Sequence, residues 1–474
     1  MKKRIQFSGR LAVPALTLLM MSAMGMTALA ARGWVVENNE WRYINNDGSY
    51  ATDCFKRSGN DYYYLDWDGS ITRSQIIDDG SNIYYVNSAG AMVKNLWRLV
   101  DNTERHDSEE PDSWWYYLGA NGRALRRTGD RVKISVAPTA SGNAKFIFDD
   151  MGHTLSGWIG EDGQMLYGED AWRDGLYYAD PDNGQRLVVN GWAYIEAENP
   201  DDQDRNGDGY WFFFDGSGKK VTDKASKLIN GRKYRFNEYG AANYDWYMDA
   251  SGSTVSSYYY STEEKCYLKT GWFKAVPDPD VDPEGWSNGD EYWYYADKKG
   301  QTAKSVIKNI NGLRYGFDEF GKMLNGLYEL EMADDGVTIL DARYIETIDE
   351  LPTDEGALVY YFGNSPKAGV LKTGNATIKL DGETFAYKFK KGGTYKGAGT
   401  NGISDGCIYI NGRRMEASDE LRYEPFEYNG KEYLISSLGR IIKNKKNARD
   451  TDGYYYCTDK EGVIIYEGDE KFEA

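Results

Sequence analysis

Residues 191–218 read "GWAYIEAENPDDQDRNGDGYWFFFDGSG", and two local folds compete for them. In the middle, Asp202, Asp204, Asn206 and Gly207 stand at the first, third, fifth and sixth places of a calcium loop. That loop wants a bidentate Glu at its twelfth place and an apolar residue at its eighth, where this chain has Phe213 and Gly209. The ends, Gly191-Trp192 and residues 211–214, read as two strands, because aromatic runs favour extended chain. Two other acidic, turn-rich insertions occupy the same place without calcium spacing. "DNTERHDSEEPDS" lies between Trp97 and Trp114-Trp115, and "DPDVDPEGWSNGDEY" between Trp272 and Trp293. All three are read as long hairpin loops. A weak Ca2+ site at Asp202, Asp204, Asn206 and Asp208 is the alternative at the first, and no cofactor is expected elsewhere.

The hairpin recurs along the chain. "WRYINNDGS", "YYYLDWDGS" and "IYYVNSAGA" put Gly48, Gly69 and Gly90 at steps of 21 residues. The frame returns with Gly122, Gly152, Gly218, Gly240, Gly300 and Gly321, and insertions account for the longer gaps. Each unit is an aromatic, β-branched run closed by a polar turn whose glycine takes positive φ without strain. A single hairpin buries too little surface to stand alone, so neighbours must stack. The expected fold is therefore all-β, an elongated solenoid of stacked β-hairpin repeats. Tyr 40, Trp 14 and Phe 16 make 15% of the chain aromatic, which suits a narrow stack. All fourteen tryptophans fall between Trp34 and Trp293. This divides the chain into residues 1–30, the Trp-rich repeats 31–327, and a Trp-free region 328–474 of degenerate repeats or a small β domain.

The frame of Gly-Trp, loop, Trp-aromatic-aromatic and turn glycine resembles the choline-binding, or cell-wall-binding, repeat family of Gram-positive surface proteins. Related repeats occur in glucan-binding regions and clostridial toxin tails, and "INGRKYRFNEYG" and "INGLRYGFDEFG" look like the toxin-tail form. The resemblance covers roughly residues 33–327. It implies that choline of teichoic acid is held in aromatic cages between successive hairpins. A quaternary ammonium donates no hydrogen bond, so ring faces hold it at roughly 0.5–2 kcal/mol per contact. Several cages on one polymer gain by avidity. Carried over residue by residue, the fullest cages are Trp192 and Trp211 with Tyr234, and Trp272 and Trp293 with Tyr315. Less complete are Trp34 and Trp41 with Tyr63, and Trp97 and Trp115 with Phe146. Core packing is the competing role for every ring. Lys145, Lys233 and Arg314 stand where the family has a second-strand Trp, which marks those units as spacers or sugar-binding units.

Lys2, Lys3, Arg4 and Arg10, an apolar run and Ala28-Leu29-Ala30 read as a secretory signal peptide over residues 1–30, with a membrane anchor as the alternative. Its removal takes the net charge from −18 to −22. So acidic a chain is unsuited to nucleic acid, which needs basic patches. No later segment has the length of a membrane span. Cys54, Cys266, Cys407 and Cys457 have no metal spacing and are read as unpaired. His106 and His153, the two histidines, are read as surface residues, which removes most His-based catalysis. Acid pairs such as Asp149-Asp150 and Glu263-Glu264 are read as solvated turns. The expectation is a secreted, non-catalytic protein held non-covalently on the cell wall. Its partner would be choline-substituted teichoic acid or another cell-wall polysaccharide. A glycan-binding adhesion module for glucan or host polysaccharide is the alternative.

Overall fold

The computed structural model describes residues 32–105, 108, 110–197, 209–250, 255–363, 368–418 and 420–473. The signal-peptide segment, His106 and the calcium candidates Asp202, Asp204, Asn206 and Asp208 lie outside the described residues. The described chain is almost entirely β, as the repeat predicts. Ten antiparallel hairpins form separate two-stranded sheets. They include Gly33–Glu37 with Glu40–Ile44, Leu96–Asp101 with Ser113–Leu118, and Gly271–Ala275 with Tyr292–Ala296. The strands Gly191–Glu196 and Gly209–Phe214 also pair, so the opening stretch is a hairpin.

One turn explains the glycine frame. In residues 66–70, Gly69 N–H donates to Asp66 O at 3.0 Å and Asp66 N–H to Ser70 O at 2.9 Å. The Asp66 carboxylate accepts from the amides of Asp68 and Ser70. The same pattern recurs with Asn87, Asp215, Asn237, Asp297 and Asp318 at the first place. A short polar side chain there satisfies amides that the tight turn leaves unpaired. At Gly90 the glycine has two reasons to be there. Its φ is +84°, and a Cβ would lie 2.3 Å from Ile71 Cγ2 of the preceding unit.

Two residues beyond each of these turn glycines the chain bridges back to its own strand, and in most of the units the amide there reaches an earlier hairpin. Eleven such bridges occur among the described residues, from Ile44–Tyr50 to Ile435–Ile441. The amides of Met92, Ala124 and Thr154 donate to the carbonyls of Tyr62, Ile83 and Trp115. Farther along, Ala242, Thr302 and Met323 donate to Trp211, Ser257 and Trp293. Stacking is thus carried by backbone bonds as well as by side chains, which lets units of different sequence share one geometry.

The chain forms two compact units. The described residues of Met1–Gly209 and Phe213–Lys220 make one; those of Tyr210–Phe212 and Val221–Ala474 make the other. In the first, local cores such as Ile83, Tyr85, Tyr116, Leu118 and Ala124 sit between hairpins. In the second, the hairpin frame gives way to wider sheets. A six-stranded sheet runs from Val306–Ile310 to Val370–Leu371 in sequence, and a five-stranded one from Gly374–Leu380 to Arg413–Arg414. Tyr360, Phe362 and Leu330 fill a core of the six-stranded sheet, so packing there is sheet-wide.

Candidate functional site

Trp272 is second in the strand Gly271–Ala275 and pairs across the hairpin with Tyr295, which places it on the same face as Trp293, two residues before Tyr295. Its ring meets Trp293 edge-on at 6.3 Å and 86°, and Tyr315 of the following hairpin at 4.7 Å. Tyr295 and Phe317 close the base at 5.2 and 5.8 Å. Met323 packs into the same cluster, positioned by its backbone N–H, which donates to Trp293 O at 2.8 Å. The predicted trio Trp272, Trp293 and Tyr315 is therefore assembled around one indole. Trp293 is 43% exposed, Trp272 and Tyr315 are half-buried, and the Trp272 indole N–H has no hydrogen-bond partner among the described residues. The Lys274 ammonium lies 5.6 Å from the Trp293 ring centre, so this ring face already receives a cation.

The other predicted groups are assembled less fully. Trp34 meets Tyr63 edge-on at 5.7 Å, and its indole donates to Arg57 O in the next hairpin at 2.9 Å. Trp41 makes no ring contact among the described residues. Trp97 touches Phe146 at 4.8 Å, and its indole donates to Pro138 O at 2.7 Å; Trp115, 38% exposed, touches neither ring. Trp192 packs edge-on against Phe213 at 5.2 Å. Trp211 and Tyr234 belong to the second compact unit, where Tyr234 is buried.

Sequence reasoning missed Trp246. It sits among Tyr259, Phe273 and Tyr294, and its indole donates to Val276 O at 2.8 Å. Its strand lacks the Gly-Trp pair that drew attention elsewhere, although the spacing of its neighbours' turn glycines could have found it. Trp34, Trp97 and Trp246 share one role: each indole pins the next hairpin's backbone. Trp272 does not do this.

Charged groups are also placed differently than expected. His153 is only partly exposed. It stacks on Trp114 at 4.3 Å and 15°, and its Nδ1 lies 2.7 Å from Asp149 Oδ2. Beside Trp246, a hollow is lined by Met248, Pro277, Asp278, Val281, Asp282, Lys304 and Phe320. Nearby, burial lifts the carboxyl of Asp318 to about 6, with the Lys322 amide and ammonium opposing and Asp282 adding to the rise. Burial, helped by Asp278, likewise lifts Asp245 to about 6. No cluster of three or more potential metal ligands occurs among the described residues. Cys54, Cys266, Cys407 and Cys457 form no disulfide among the described residues. Among the described residues no helix is long and apolar enough to cross a membrane.

No family model matches the chain. Over 263 residues, 54% of its length, it is 25% identical to Glucosyltransferase-S of Streptococcus mutans serotype c, and spans 14% of that protein. Among solved structures it is similar to the modular autolysin LytC from Streptococcus pneumoniae. The TM-score is 0.34 at 15% identity, over 64% of this chain and 56% of that one. It is also similar to the choline-binding domain of CbpL from the same organism, with a TM-score of 0.26 at 19% identity, over 45% of this chain and 97% of that domain. In its repeated sequence frame and its stacked hairpins, the chain resembles the choline-binding, or cell-wall-binding, repeat proteins.

Proposed function

We propose that this chain is an exported, non-catalytic cell-wall-binding protein that attaches to choline-bearing teichoic acid through aromatic clusters between hairpin repeats. The observation that carries the reading is the Trp272 cluster. Two indoles and a phenol from successive hairpins meet there, one of the indoles half-exposed. Such a surface suits a methylated onium head, which gains from ring faces and gives no hydrogen bond. One cluster of this kind is weak, and attachment comes from several on a polymer that presents many choline groups. A choline head at Trp293 displaces the exposed Lys274 ammonium, which is a small cost for a flexible surface side chain.

A glycan-binding reading draws on the likeness to Glucosyltransferase-S and on Trp67 and Trp286, which are 79% and 52% exposed and offer flat faces for sugar rings. Tryptophan fluorescence of the full chain, titrated with choline and then with glucan fragments, separates the two. The expected result is a saturable choline response that glucan does not reproduce. A response to sugar alone overturns the choline reading in favour of the glycan one.

A further inference from the structure

The eleven residues that bridge back after a turn glycine are Tyr50, Ile71, Met92, Ala124, Thr154, Met165, Lys220, Ala242, Thr302, Met323 and Ile441. Ten are uncharged, and their partners are all apolar. Only position 220 carries a charge, and it is buried, at 5% exposure. A lone lysine in such a place costs several kcal/mol unless its ammonium is received by the protein.

It is received. The strand partner of Lys220 is Phe214, and its amide donates to Leu176 O at 2.7 Å, as the frame requires. Its side chain runs beneath the short helix Ala171–Asp174. The ammonium donates to the carbonyl oxygens of Trp172 and, at 3.1 Å, Arg173. Both residues belong to the single turn of that helix. On another side, the ammonium lies 4.9 Å from the ring centre of Trp158. Trp158 is itself packed against Tyr178 at 5.0 Å and Phe214 at 6.0 Å. Trp158 and Trp172 are both buried. Burial brings the Lys220 ammonium down to about 8, with Asp174 opposing, so it remains charged at neutral pH.

We infer that the hollow between Trp158 and the Trp172 and Arg173 carbonyls is a primary-ammonium site that the chain fills with its own Lys220. Two carbonyl acceptors demand N–H donors, which a quaternary ammonium lacks, so the site is specific for R–NH3+ over a methylated onium. The tethered lysine also closes this unit to outside cations. That last clause rests on the cation-binding reading above; the ammonium specificity does not.

Lys220→Ala tests the inference, since alanine holds the same frame position at Ala124 and Ala242. In the full chain the variant is expected to unfold at lower urea. Added n-propylammonium should restore the midpoint saturably, as a ligand of the folded state alone does. Tetramethylammonium at the same concentration should not. Unchanged stability, rescue by both cations, or rescue by neither overturns the inference. A second measurement needs no variant. When the wild-type chain is treated with a small amine-reactive ester, Lys220 should be among its slowest lysines to acylate by peptide mass spectrometry, and prompt labelling overturns the inference. Choline titration of the wild type separately tests the Trp272 reading, and its failure leaves the propylammonium result standing.

Discussion

The Trp272 cluster and the Lys220 hollow are built on the same frame, yet they are opposite in chemistry. In both, an indole from the Gly-Trp position shares its cluster with the residue two places beyond a turn glycine. At Trp272 that residue is Met323, apolar and flexible, and a second indole stands half-exposed beside it. At Trp158 it is Lys220, whose charge meets both the ring and two carbonyls, and both indole-bearing residues, Trp158 and Trp172, are buried. The repeat therefore fixes where an aromatic hollow forms. One side chain, at one frame position, decides whether an apolar group or the chain's own ammonium sits beside the indole.

That comparison can be broken or sharpened by substitution. The largest effect is expected from Trp272→Ala, which removes four ring contacts at once. It should cost about 3 kcal/mol in urea unfolding and abolish any choline response from the cluster. Full stability with the response lost would mean that the ring serves only the ligand.

A smaller effect concerns charge beneath the second unit's turns. The carboxyl of Asp318 is raised by burial to about 6, above its unfolded value near 3.8. The folded state then holds more protons between those values, so stability falls as pH rises from about 4 to about 6. Asp245 adds a slope of the same sign. Asp318→Asn keeps the turn, because asparagine fills the same place at Asn87 and Asn237. It should flatten the slope and raise stability at pH 8 by on the order of 2 kcal/mol. Thermal unfolding across pH 4–8 reads both changes, and an unchanged slope would show that the carboxylate is well solvated.

Trp293→Ala should cost the least. With 43% of the ring exposed, its loss should lower stability by less than about 1 kcal/mol. Choline affinity should weaken by roughly 2- to 30-fold, the worth of one cation–π contact. A large stability loss with unchanged affinity would reassign this indole to packing.

Much of the hairpin fold was legible because it depends on local chemistry. The glycines at steps of 21 residues, with Asp or Asn three places before, specify a turn that few other sequences can form. The aromatic runs before them specify strands. This is why residues 209–214 are a strand and the hairpin reading holds there. The trio Trp272, Trp293 and Tyr315 was legible only through the family resemblance; strand alternation accounts for Trp272 and Trp293 sharing one face of their hairpin. Trp41 and Trp115 satisfy the same periodicity but find no ring within reach. Contact across hairpins depends on twist and on the neighbour's side chains, and spacing does not encode these. The wider sheets beyond Val306 were equally hidden, because their strands pair with partners distant in sequence.

By itself, then, the sequence determined the turn, the alternation and the order of the hairpins, since each arises from interactions within some twenty residues. Tertiary structure alone decided which indoles pin a neighbour's backbone, as Trp34, Trp97 and Trp246 do, and which remain uncommitted, as Trp272 does. It also decided that Lys220 lies under a helix end and not in solvent. A charge is placed by what surrounds it in space, and for Lys220 the receiving carbonyls stand almost fifty residues earlier in the chain.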